Sequence, residues 1–361
     1  MKLSIPDHIL SLKPYVAGKP LEELEREYGI TDAVKLASNE NPLGPSPKAV
    51  KAIQGALAKM HRYPNGGSYD LVERLSKRLN LHRDNIVLGN GSDDIIAMLG
   101  QVLLRPGDEA VLPQPSFLFY DIVIRSSGAT PVGVPLKSNS TDLDGMLASI
   151  NSNTRLVFIN NPHNPTGSLI SKDSLDAFIA ALPPEIVLVI DEAYFEFVRE
   201  AKCPDSIDYL KSDKIVVGLR TFSKAYGLAG LRIGYGLMPS FLAELLNRVR
   251  QPFNVNLLAQ AGAIAALEDE EFLAKTVALV ANEMDFLFSS LDDLGIEHLK
   301  SQANFFLIRV AKNADEVFED LLKQGVIVRS MTSYGYPDCI RVNVGLHREN
   351  VRLLEALQVV L

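Results

Sequence analysis

Five short apolar runs constrain this chain more than any other feature. Asn85–Leu88, Glu109–Leu112, Leu156–Asn160, Ile186–Ile190 and Ile215–Gly218 are nearly continuous in aliphatic residues rather than alternating with polar ones. Strands buried on both faces read this way, because neither face meets water. Between the runs lie amphipathic stretches at helical spacing, such as Asp70–Leu79, Asp93–Leu104 and Lys172–Ala181. Strand–helix–strand repetition predicts an α/β fold, a mostly parallel sheet with helices on both faces.

That rhythm occupies residues 47–255, read as a large domain. Before it, residues 1–46 read as an N-terminal arm, punctuated by Pro6, Pro14, Pro20, Pro42 and Pro45, with Asn39-Glu40-Asn41-Pro42 as loop. After it, Gln251-Pro252-Phe253-Asn254 breaks the chain. A long helical tract follows from Leu257 to about Leu294, with breaks. Then come a strand at Asn304–Val310, a helix at Asp315–Gln324, and the runs Val326–Ser330 and Cys339–Val344. Residues 256–361 therefore read as a smaller α+β C-terminal domain.

Composition narrows the function classes. Of 361 residues, 47% are hydrophobic and 22% charged, which excludes a disordered chain. A net charge of −8 lacks the basic footprint that nucleic acid requires. The two cysteines, Cys203 and Cys339, offer no metal-ligand spacing and suit a reducing compartment. The first residues lack the apolar centre of a secretion signal, and no run approaches the roughly 18 apolar residues of a membrane span. The expectation is a cytoplasmic protein with no metal and no membrane partner.

Four motifs carry chemistry, three of them just past a strand of the large domain, where open parallel sheets bind ligands. Gly89-Asn90-Gly91-Ser92-Asp93-Asp94 suits an anion at a helix start, with Ser92 or Asp93 as the cap. It fails as a dinucleotide fingerprint at Asp94 and as a P-loop for want of Gly-Lys-Ser/Thr. Asn160-Asn161-Pro162-His163-Asn164-Pro165-Thr166-Gly167 is a rigid turn presenting Asn164, with His163 read as a solvated loop residue. Val187–Ile190 runs straight into Asp191-Glu192-Ala193-Tyr194. A carboxylate there is costly unless a cation meets it, so Asp191 asks for a partner, while Glu192 reads as a residue on the opposite side of the strand end, solvated or capping a neighbour. The fourth motif, Thr221–Tyr235, sets Thr221 and Ser223 about Lys224, with Arg232 eight residues beyond the lysine.

One ligand class uses all four. It brings an anion, a protonated ring nitrogen for the buried carboxylate, an oxyanion, and a carbonyl with which a lysine amine forms a Schiff base. Pyridoxal 5′-phosphate has each group.

In order and spacing the motifs resemble the fold-type I aminotransferases, and among them the histidinol-phosphate aminotransferases. The likeness runs from Pro14-Tyr15 to Arg341 and is most specific over Thr221–Tyr235. It implies that Lys224 holds the cofactor covalently and that Asp191 pairs with its pyridine nitrogen. Tyr194 and Asn164 bind its phenolic oxygen, and Ser92, Asp93, Ser223 and Arg232 hold its phosphate, with Thr221 close by. Tyr63 reaches the phosphate of a neighbouring subunit, making the site a property of a homodimer. Arg341 clamps a substrate carboxylate, Arg329 the phosphate of a phosphorylated substrate, and Tyr15 closes over the substrate. Phe117 stands where the family commonly has Tyr, keeping the stacking ring and losing a hydroxyl.

The reaction so implied is ping-pong transfer of the amino group between L-histidinol phosphate and 2-oxoglutarate, with Lys224 carrying the proton. Rival readings are an aromatic (phenylalanine) aminotransferase, favoured by Phe117; a threonine-phosphate decarboxylase; and a non-enzymatic nucleotide-binding protein built on Gly89–Asp94.

Overall fold

The computed structural model describes residues 3–14 and 18–361. Seven strands form the main sheet: β1 (Ile86–Gly89), β2 (Glu109–Gln114), β3 (Thr130–Pro135), β4 (Thr154–Asn160), β5 (Val187–Asp191), β6 (Ile215–Thr221) and β7 (Gly234–Leu237). Their order is β1-β7-β6-β5-β4-β2-β3. All pairings are parallel except those of β7, which runs against both of its neighbours.

The five apolar runs are all strands. Two strands are absent from that expectation, and each for a physical reason. β3 is an edge strand holding Pro131 and Pro135, and prolines are tolerated only where the ladder is unpaired on one side. β7 is Gly-Tyr-Gly-Leu, too short and too glycine-rich to read as an apolar run.

Period-two alternation divides the strand residues between two cores. Leu156, Phe158, Val187, Val189, Val217 and Leu219 pack against the helices α1 (Ser92–Leu103), α2 (Leu118–Ser126) and α4 (Ser240–Val249). Val157, Ile159, Leu188, Ile190 and Val216 pack on the other face against α3 (Lys172–Ala181), whose N-cap is Ser171. Each fully buried aliphatic side chain contributes about 1.5–3 kcal/mol, so the register of these strands is tightly fixed.

The helical tract after residue 256 breaks at Glu268-Asp269 into α5 (Leu257–Leu267) and α6 (Glu270–Asp293). A three-stranded antiparallel sheet follows, ordered β9-β10-β8, from β8 (Phe305–Arg309), β9 (Arg329–Ser330) and β10 (Cys339–Asn343). The run Val326–Ser330 thus serves two sheets. Its first two residues pair in parallel with Val34–Lys35, and its last two form β9. The early segment is held by that pairing and by Leu24 and Ala37, which pack on Leu322 and Ile327. No helix among the described residues is long and apolar enough to cross a membrane.

Candidate active site

The last residues of β4, β5 and β6 converge by parity. Asn160, Asp191 and Thr221 continue the strand face packed on α1 and α2, and all three line one cavity of about 450 Å³. Phe117, Asn164, Tyr194, Ser223, Lys224 and Arg232 line it as well. Ser92 and Asp93 close one end.

That end is an anion cradle. Helix α1 starts at Ser92 with Gly91 as N-cap and no side-chain capping bond. Neither Ser92 nor Asp93 is therefore the cap. Gly91 sits at φ +85°, ψ 166°, a backbone conformation that only glycine adopts without strain. A Cβ there would stand 2.6 Å from Arg232 Nη2. A Cβ on Gly234 would stand 2.5 Å from the Ser92 amide nitrogen. The backbone is thus kept bare around uncapped first-turn N–H groups, an arrangement suited to phosphate. The Asp93 carboxylate contributes by holding the guanidinium: Arg232 Nη2 donates to Asp93 Oδ2 at 3.2 Å.

Asp191 is buried, and its partners are not cations. Tyr120 donates its hydroxyl to Oδ2 at 2.7 Å, and the Ala193 N–H donates to Oδ1 at 3.1 Å. Burial pushes the carboxyl up to about 6, and the two hydrogen bonds hold it from rising further. Lys224 Nζ donates to the Ser38 carbonyl at 3.0 Å. Burial, together with the charge of Arg341, brings its amine down to about 8. Tyr194 is pushed up to about 12 by burial, against the pull of Arg341 and of Asn39.

Arg341, on β10, donates from Nη1 to Asn164 Oδ1 at 2.7 Å and from Nη2 to the Ala37 carbonyl at 3.1 Å. Its Nε is buried with no hydrogen-bond partner. Arg329 stands directly opposite Arg341 in the β9–β10 register, and opposed residues share a face. It lines a second cavity of about 840 Å³ that adjoins the first at Phe117. Tyr63 lines neither cavity. It is 81% exposed and stacks on Phe253, ring centroids 4.6 Å apart. Tyr15 lies outside the described residues.

Two further sequence readings need correction. Glu192 is not solvated. It is 1% exposed, pairs with Arg220 Nε at 3.0 Å, and accepts from the Ser206 amide and hydroxyl, both at 2.7 Å. Next to Asp191 on the chain, it must point to the opposite face, into the start of the Ser206–Tyr209 turn. His163 is also buried, at 1% exposure, because the rigid turn folds it inward onto Thr166 Oγ1 at 2.9 Å. Burial brings its imidazole down to about 4, so it stays neutral.

The sequence also missed Tyr120, Ser38 and Asn39. Asn39 Nδ2 donates to Tyr194 Oη at 2.9 Å across 155 residues of chain. No local pattern announces such partners. The only available hints were the loop composition of Asn39-Glu40-Asn41 and the demand of Asp191 for a partner.

Comparisons agree with the geometry. The chain is 48% identical to the histidinol-phosphate aminotransferase of Desulfotalea psychrophila over 360 residues, 99% of this chain and 95% of that one. It is 44% identical to the corresponding enzyme of Moorella thermoacetica over 98% of this chain and 92% of that one. The crystal structure of the Sinorhizobium meliloti histidinol-phosphate aminotransferase in complex with pyridoxal 5′-phosphate superimposes with a TM-score of 0.92 at 30% identity, covering 100% of this chain and 98% of that one. The family model for aminotransferase class I and II matches residues 31–357. With that match over nearly its whole length, the chain belongs to the class I and II aminotransferases.

Proposed function

We propose that this chain transfers an amino group between L-histidinol phosphate and 2-oxoglutarate, as a step of histidine biosynthesis, with pyridoxal 5′-phosphate as cofactor. The observation that carries the substrate reading is the cross-strand pair Arg329 and Arg341. Two guanidiniums on one face of the small sheet suit two anions, a phosphate and a carboxylate. The relatives named above bear the same activity.

The residues present fit the cofactor. The Gly91–Ser92 cradle with Ser223, Thr221 and Arg232 suits its phosphate, and Asp191 suits its ring nitrogen. Tyr194 and Asn164 suit its phenolic oxygen, the Phe117 ring suits stacking, and Lys224 suits its carbonyl carbon. When bound, the cofactor supplies an electrophilic carbon and a ring that withdraws an electron pair.

The chain supplies the rest. Lys224, brought down to about 8, exchanges a proton near neutral pH far more readily than an exposed lysine, and it is the general base and acid of the site. Asp191 sits in a pocket that penalises its charge, so a protonated nitrogen beside it gains a strong partner. The Tyr194 hydroxyl, far from ionising, acts as a proton donor. Arg341 holds a substrate carboxylate. Arg329 holds the phosphate of the phosphorylated substrate.

Tyr63, exposed in a single chain, fits the same reading as a residue offered to the site of a second copy in a homodimer. The arm (1–46), large domain (47–255) and small domain (256–361) belong to this proposal, as does a cytoplasmic setting. The substrates are small molecules; no nucleic acid or membrane enters the reaction.

The test is a single-turnover comparison on the cofactor-loaded protein. L-histidinol phosphate or L-phenylalanine is added and loss of the cofactor absorbance band is followed. A preference for the phosphate of a hundredfold or more, about 3 kcal/mol in the transition state, is expected. Comparable rates would favour the aromatic aminotransferase, and Phe117 would be the residue behind the difference.

A further inference from the structure

Residue 39 is a tightly held position beside the cavity that the reaction scheme leaves unused. Its backbone lies at φ +55°, in the left-handed region that asparagine tolerates better than most side chains. Both of its backbone groups are held from the small domain. Its N–H donates to Asn343 Oδ1 at 3.0 Å, and its carbonyl accepts from Asn304 Nδ2 at 3.1 Å. The side chain is 2% exposed and reaches one target, the Tyr194 hydroxyl, at 2.9 Å. The other side-chain atom, Oδ1, is buried without a partner.

An unpartnered buried oxygen costs about 1–3 kcal/mol. The amide nitrogen, rather than the oxygen, faces the tyrosine, so Asn39 donates. A hydroxyl that accepts from one side has its own proton free for the other. Tyr194 lines the cavity, so that proton faces the cavity.

We propose that Asn39 is a positioning residue: its amide occupies the acceptor side of the Tyr194 hydroxyl and so aims the tyrosine proton at the oxygen of whatever binds in the cavity. The charged groups facing Tyr194 among the described residues are Lys224, with Nζ 5.9 Å from the ring centroid, Arg341 and Asp191. None of them makes a hydrogen bond to its hydroxyl, so the direction is set by Asn39. The ring itself is fixed edge-on by Phe305, with centroids 4.9 Å apart. With ring and backbone both pinned, the hydroxyl torsion is the remaining freedom, and Asn39 removes it. The proposal rests on the reading that Tyr194 donates to the bound cofactor.

The test uses Asn39→Gly, which keeps the left-handed backbone without the amide, in wild-type and Tyr194→Phe backgrounds. The readouts are the pH midpoint of the bound cofactor's absorbance band and the split between kcat and KM. A donor to the cofactor's phenolic oxygen stabilises the deprotonated form, so Tyr194→Phe should raise the midpoint. Asn39→Gly should raise it by a smaller amount and lower kcat about five- to tenfold, with KM within about twofold. In the Tyr194→Phe background Asn39→Gly should change neither quantity.

Additive effects in the double variant, or an unmoved midpoint in Asn39→Gly alone, would overturn the proposal. An unmoved midpoint in Tyr194→Phe would instead overturn the reading of Tyr194 as donor to the cofactor. Asn39→Ala is the second variant and must show the same dependence on Tyr194. Loss of the fold in both would make residue 39 purely structural and overturn the proposal too.

Discussion

The two faces of the sheet at the ends of β5 and β6 carry the same ingredients, a carboxylate and a cation, and treat them oppositely. On one face Glu192 and Arg220 are joined at 3.0 Å. Asp205 at 2.7 Å from Arg220 and two bonds from Ser206 complete the network. On the other face Asp191 and Lys224 are adjacent to those residues in sequence or nearly so. Yet neither has an ion pair among the described residues. Asp191 is satisfied by a phenol and an amide, and Lys224 by a carbonyl. The paired face holds the strand ends rigid. The unpaired face leaves two ionisable groups displaced toward neutrality, where charge on a ligand has the most to gain.

The largest effect should come from removing the unpaired cation. Lys224→Ala should lower turnover by at least about 10³-fold while the protein still binds the cofactor noncovalently, as dialysis followed by absorbance would report. Full activity in that variant would remove lysine from the mechanism.

Asp191→Asn should separate activity from stability. We expect kcat/KM to fall about 10²-fold or more. The cofactor-free protein should meanwhile become more stable by about 1–3 kcal/mol at pH 7.5. The sign follows from a folded-state value raised from 3.8 to about 6. Ionisation is penalised in the folded state only, so wild type loses stability as pH rises through that window. The two unfolding curves should converge below about pH 4.

Glu192→Gln should do the reverse. It leaves Arg220 buried with one carboxylate fewer, at a cost of about 3 kcal/mol, read by denaturant unfolding. Its kcat should stay within about threefold below the melting range. A variant as stable as wild type but inactive would erase the distinction between the faces.

The smallest effect is reserved for Tyr120→Phe. It deletes the hydroxyl donor that holds the Asp191 carboxyl down, so the acid limb of the kcat/KM profile should move to higher pH, with activity at the optimum reduced about threefold.

What was legible in the sequence was whatever is local. The aliphatic runs ending in Asp191 and near Lys224 announce buried strands, and the glycines at 89 and 91 announce a bare turn. Chemistry that depends on alternation was only half legible. Asp191 and Glu192 are consecutive, and which of them meets a cation depends on register against β4 and β6. The partners of the site were not legible at all. Tyr120 lies 71 residues before Asp191, Asn39 lies 155 before Tyr194, and Ser38 lies 186 before Lys224. Edge strand β3 was hidden by its prolines and β7 by its glycines.

The short pairing of Val34–Lys35 with Val326–Ile327 has a consequence for biogenesis. It starts a strap in which Leu36, Ala37 and Asn39 bond to Asn343 and Arg341, some 300 residues further along the chain. That same strap supplies Ser38 to the lysine and Asn39 to the tyrosine. Contacts so distant in sequence close late in folding, and synthesis delivers one end long before the other. A nascent chain can therefore complete its sheet and its anion cradle while the lysine and tyrosine still lack their partners. Cofactor capture in its final geometry becomes a checkpoint passed only by finished molecules.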